Sequence, residues 1–112
     1  MSATKAEIDE ILKRTYLFSK GLFGERLCDV ILFGSYARGD YDDESDVDIM
    51  VVADFDEKNY KFFCKPYNTF STSLAFDFDI YVSLMLRPKS HWDKRATPLI
   101  MNILKEGVRV SV

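Results

Sequence analysis

Two features of this chain could do chemistry, and they stand close together. One is Gly34-Ser35, at the end of the apolar run Val30-Ile31-Leu32-Phe33 and followed by Tyr36-Ala37-Arg38-Gly39-Asp40. The other is the carboxylate pair Asp46 and Asp48, which opens a second apolar run, Ile49 to Ala53. Ten residues separate Ser35 from Asp46. Gly34 has no Cβ, so a ligand can approach its backbone and unusual dihedral angles cost little. Ser35 is a favoured helix N-cap residue. A helix starting there would turn free N–H groups and the positive end of its dipole toward an anion. Arg38, one turn further on, could reach the same anion or pair with the acidic loop that follows.

Asp46 and Asp48 suggest a cation. Side chains alternate along a strand, so the two share a face and Val47 points the other way. Carboxylates that close repel unless something positive lies between them. Mg²⁺ is commonly held by one or two carboxylates together with substrate phosphates. An anion cradle beside such a pair therefore points to a metal-bound nucleoside triphosphate. Other phosphate and cation motifs fail on particular residues. Asp40-Tyr41 stand where a P-loop requires Lys-Ser/Thr, and Tyr36 occupies the place of the second glycine of a dinucleotide-binding fingerprint. An EF-hand counted from Asp40 has Ser45 at its glycine and Val51 at its closing glutamate.

Gly34-Ser35, ten residues and then Asp46-Val47-Asp48 resembles the signature of the DNA polymerase β-like nucleotidyltransferases. The form Gly-Ser-Tyr-Ala-Arg-Gly-Asp with Ser-Asp-Val-Asp is most similar to the minimal nucleotidyltransferases of bacteria and archaea. The resemblance implies one nucleotidyltransferase domain over residues 1–112. It implies transfer of a nucleoside monophosphate, AMP from ATP, to a hydroxyl acceptor by Mg²⁺-dependent two-metal catalysis. Asp46 and Asp48 would be catalytic metal ligands, and Gly34 and Ser35, with Arg38 beside them, would bind the triphosphate. Such sites take a third carboxylate from a neighbouring strand, which the resemblance places at Asp79, with Asp77 second. It also implies a HEPN-domain protein, a toxin, as partner and acceptor. The alternatives are a small hydroxylated acceptor of the aminoglycoside type, bound at the interface of a homo-oligomer, and a non-catalytic antitoxin.

The elements that must position these residues follow from pattern. A first helix starts at Thr4 or Ser2 with Glu7 near the capping-box position, and it buries Ile8, Ile11, Leu12, Thr15, Phe18 and Leu22. Gly21 and Gly24 are expected to end it. Strands are expected at about Val30 to Phe33 and Val47 to Ala53. A helical stretch from Asp56 to Leu74 has a face of Tyr60, Phe63, Tyr67, Phe70 and Leu74. Pro66 should kink or divide it. Phe76 to Leu84 alternates with period two and reads as a third strand, with Asp77 and Asp79 on one face. A helix follows Pro88. The last helix opens at Thr97-Pro98, buries Leu99, Ile100, Ile103 and Leu104, and stops at Gly107. Val108 to Val112 reads as an edge strand. Helices between strands with short connections give an α/β fold with a small mixed sheet flanked by helices.

Composition sets the outer bounds. The chain has 112 residues, 47% of them hydrophobic and 29% charged, which is a globular balance. Its net charge of −3 argues against a general nucleic-acid surface. Asp42-Asp43-Glu44 reads as a solvated loop. Cys28 and Cys64 have neither metal spacing nor a disulfide framework, which fits a cytoplasmic protein. Glu7, Asp9 and Glu10 near the start, and the absence of a long apolar run, lead one to expect neither leader peptide nor membrane span.

Overall fold

A computed structural model describes residues 2–94 and 97–110. Helix α1 spans Lys5–Phe23 and begins with the expected capping box, in which the Thr4 hydroxyl accepts from Glu7 N and the Glu7 carboxylate accepts from Thr4 N. Gly24 ends it, while Gly21 lies within it. After a short 3-10 turn comes β1, Leu27–Phe33, then α2, a single turn at Ser35–Arg38, and β2 at Val47–Ala53. Helix α3, Tyr60–Phe78, leads to β3, Val82–Pro88. Helices α4, Lys89–Lys94, and α5, Pro98–Glu106, precede β4, Val108–Arg109. The sheet order is β3-β2-β1-β4. β2 pairs antiparallel with β1 and parallel with β3, and β4 pairs antiparallel with β1, so the sheet is mixed as expected.

β1 and β2 are apolar on both faces because both faces are covered. On one side, Val30, Leu32, Val47, Ile49 and Val51 pack against Ile8, Ile11 and Leu12 of α1 and Tyr67 and Leu74 of α3. On the other, Ile31, Met50 and Val52 pack against Trp92 of α4 and Ile100 and Ile103 of α5. Alternation along β2 therefore turns Asp48, Met50 and Val52 toward α4 and α5. Two polar groups are buried among the apolar ones, each with a partner: Thr15 Oγ donates to Ile11 O, and Tyr67 OH donates to Ser19 Oγ at 2.7 Å. Burial pushes the Tyr67 phenol up to about 12.

Two expected elements differ. Pro66 does not divide the helical stretch, and α3 is one helix. The backbone bond Pro66 cannot make would go to the carbonyl of Phe62, on the exposed side of the helix, where water can take its place. The third strand was expected over Phe76 to Leu84, but α3 runs on to Phe78 and β3 begins at Val82. The alternation of Phe76-Asp77-Phe78-Asp79 is overridden because Phe78 continues the Tyr67, Phe70, Leu74 stripe at helical spacing, packs against the core and carries the Arg14 guanidinium over its ring at 5.0 Å. Asp79 is the helix C-cap at φ +52, in the left-handed conformation that short polar residues tolerate. The end of the expected edge strand, Ser111 and Val112, lies outside the described residues.

α5 is pinned to β1 by the absence of a side chain. A Cβ on Gly107 would come within 2.5 Å of both Ile103 O and Ile31 Cγ2. Gly107→Ala is therefore expected to destabilise the domain by about 1–3 kcal/mol through overpacking, read as a lower midpoint in urea unfolding.

Candidate active site

The site lies where β1 ends, β2 begins and α5 crosses above them. β1 finishes at Phe33, whose register partner on β2 is Asp48. The chain then turns sharply through Gly34 at φ +75, a region L side chains rarely adopt. The turn brings the backbone of Gly34 against the Asp48 side chain. A Cβ there would overlap Asp48 Oδ2 and stand 3.2 Å from its Cγ. Gly34, not Ser35, is the N-cap of α2, and Ser35 is the first helical residue. The Gly34 carbonyl accepts from Ala37 N and Arg38 N, both at 3.1 Å, so the N–H groups of Ser35 and Tyr36 precede the first intrahelical bonds. Gly39 closes the turn in the left-handed region, its N–H bonded to Ser35 O at 2.9 Å.

Neighbouring groups hold this turn in place. Tyr36 points away from the site, accepts from Ala3 N at 3.1 Å and stacks on Tyr41 with ring centroids 4.4 Å apart. The following loop is organised by Asp42, whose carboxylate accepts from Glu44 N at 2.9 Å while Ser45 Oγ accepts from Asp42 N at 3.0 Å. Of the three acids read as a solvated loop, Asp42 thus shapes the approach to Asp46.

Gly34, Ser35, Arg38 and Asp48 line a cavity of about 350 Å³ with Phe33, Leu99, Asn102, Ile103 and Glu106. Sequence reasoning missed the α5 wall. Its signal was the spacing of Leu99, Asn102, Ile103 and Glu106, one helical face that is apolar at one edge and polar at the other. Leu99, expected in the core, is 41% exposed and faces this cavity. Arg38 is held between the acidic loop and α5: its Nε lies 3.2 Å from Asp40 Oδ2 and its Nη1 3.5 Å from Glu106 Oε2.

Asp48 is half-buried, and burial pushes its carboxyl above the ordinary range. Asp46 nearby pushes it further, and Arg38 opposes the shift. This marks a carboxylate that gains from a positive ligand. Asp79 and Asp77 do not join it. Asp79 caps α3 instead of lying on β3, and Asp77 is paired with Arg14 at 3.2 Å. Among the described residues, no three His, Cys, Asp or Glu side chains gather closely enough to hold a metal ion together. The β3 residue level with Asp48 is Ser83. The donor set of Asp46 and Asp48, beside a turn that a Cβ would fill, fits a hard cation carried with phosphate oxygens.

Comparison with known proteins bears on the family and the fold. A family model for the nucleotidyltransferase domain matches residues 17–110. A protein of Methanocaldococcus jannaschii, provisionally named a protein adenylyltransferase, is 33% identical over 79% of this chain and 82% of its own length. Another of the same provisional name and organism is 34% identical over 87% of this chain, which spans 64% of that relative's length. The crystal structure of a protein from Sulfolobus solfataricus, provisionally described as a nucleotidyltransferase, is 24% identical, with a TM-score of 0.52 over 97% of this chain and 89% of that one.

Two outcomes are expected at this site. Gly34→Ala should cost about 1–3 kcal/mol, from the left-handed dihedral and the collision with Asp48. Adding Asp48→Ala should recover part of that loss, which a double-mutant cycle by urea unfolding would read. The raised carboxyl of Asp48 also sets a sign. The folded chain binds that proton more tightly than the unfolded chain does, so the charge costs stability above the raised value and the cost fades as pH falls through it. Asp48→Asn is therefore expected to raise the melting temperature at neutral pH without divalent cations, with the gain shrinking toward acid pH in calorimetric scans.

Proposed function

The chain belongs to the nucleotidyltransferase domain family, and on that premise we propose that it transfers AMP from ATP to a hydroxyl on a protein partner. The observation that carries the proposal is the Gly34 turn pressed against Asp48 at the edge of a cavity lined by Ser35, Arg38 and α5. In this reading residues 1–112 are one catalytic domain. Gly34 and Ser35 would hold the β- and γ-phosphates, Ser35 through its free N–H, and Asp46 and Asp48 would hold Mg²⁺. The chemistry Mg²⁺ supplies when bound is neutralisation of the triphosphate charge. Arg38, tied to Asp40 and Glu106, is free to exchange one carboxylate for a phosphate oxygen at little cost, since both of its ion pairs are exposed. α5 shields the nucleotide from water on one side. The acceptor oxygen bonds to the α-phosphorus, the bond from that phosphorus to the bridging oxygen of the β-phosphate breaks, and pyrophosphate leaves. The acceptor proton passes to water.

A protein acceptor is supported by the provisional names of the relatives, which specify protein adenylylation. The partner we propose is a HEPN-domain toxin, as the resemblance to minimal nucleotidyltransferases implies, with both proteins in the cytoplasm. No helix among the described residues is long and apolar enough to cross a membrane. One observation favours a second reading, an antitoxin that inhibits by binding alone: the third carboxylate does not reach the pair.

Co-expression separates the two. The partner made with the wild-type chain is expected to gain one AMP per modified hydroxyl by intact-mass spectrometry, and the partner made with Asp48→Asn none. An unmodified partner that both chains neutralise equally would leave only inhibition by binding.

A further inference from the structure

Asp48 has a neighbour level with it on each side of the sheet, and neither is acidic. On β1 the neighbour is Phe33, and on β3 it is Ser83. Ser83 lies on the same face as Asp48. It stands two residues before Met85, whose side chain joins the Met50, Val52 and Trp92 cluster beneath α4 and α5. Both Asp48 and Ser83 are half-buried at the mouth of that face.

A two-metal site places its cations about 3.5–4 Å apart, with donors for each. Here the first cation has Asp46 and Asp48. A second could approach from β1 or from β3. The β1 side is filled by the Gly34 backbone, which leaves no room even for a Cβ. The β3 side offers only the neutral hydroxyl of Ser83. The other acids stand apart from that place: Asp77 bonds Arg14, Asp79 caps α3, and Asp40 and Glu106 lie against Arg38, Glu106 on the α5 side of the cavity. No third carboxylate gathers with the pair among the described residues.

We propose that this site takes a single divalent cation, held by Asp46, Asp48 and phosphate oxygens, and that Ser83 occupies the place from which a second cation would be held. The proposal rests on the nucleotidyltransferase reading of the same residues. Its consequence is that the chain supplies charge compensation for the triphosphate but no carboxylate beside the acceptor hydroxyl.

The test counts Mn²⁺ by electron paramagnetic resonance during equilibrium dialysis against the non-hydrolysable analogue AMP-PNP. The wild-type chain is expected to hold one Mn²⁺ per bound nucleotide at saturation. Ser83→Asp should bring in a second equivalent, and Ser83→Ala should stay at one. Two equivalents on the wild-type chain would overturn the proposal. So would a Ser83→Asp chain, folded by circular dichroism, that still holds one, because Ser83 would then not mark the second place. An Asp48→Asn chain that binds Mn²⁺ and nucleotide as tightly as wild type would overturn the nucleotidyltransferase reading itself, a distinct result.

Discussion

The Asp48 carboxylate and the backbone of residue 34 share a space that admits no Cβ. That single close approach orders the rest of the site. It requires glycine at the end of β1, and it requires a positive φ there so that the chain can leave the strand and start α2 within one residue. It also sets the first N–H groups of α2, which favour an anion, beside Asp48, which favours a cation. The surrounding structure holds this arrangement from both sides. Tyr36 ties α2 back to Ala3, and Asp42 and Ser45 fold the loop that delivers Asp46 to the start of β2.

The fold bears the cost of that arrangement elsewhere. Asp48 is pushed toward its protonated form by burial and by Asp46, so the ligand-free site is electrostatically strained. Opposite it stands a sheet whose two central strands are covered on both faces and whose polar core groups are paired. Gly107 lets α5 sit close on β1, which makes the second wall of the cavity part of the core packing. Domain stability depends on the packing of that wall and on the charge of Asp48.

Much of this was legible in residue types. The capping box at Thr4 and Glu7, the span of β2, the Thr97-Pro98 start of α5 and its stop at Gly107 are local signals, and the structure reproduces each. The place of Gly34 beside Asp48 was readable because glycine and spacing are also local, whereas Asp46, expected to share a strand face with Asp48, lies just before β2 and is exposed. What failed was tertiary. Phe76 to Asp79 satisfies a strand pattern as well as a helical one, and only the packing of Phe78 under Arg14 decides between them. Ser35 is a common cap residue, yet the sharp turn gave the cap to Gly34. The α5 wall and the pairing of Arg38 with Glu106 join residues far apart in the chain, which no window of sequence displays. The register that sets Ser83 beside Asp48 was hidden for the same reason as the true start of β3.

Whether AMP moves to the partner is decided most directly by following each phosphate of ATP separately. The chain, its co-expressed partner and Mg²⁺ would be incubated with ATP labelled at the α-phosphate, and in parallel at the γ-phosphate. The account predicts label on the partner from the α position alone, with the γ label recovered in pyrophosphate. Label on the partner from the γ position, or from neither, would contradict it.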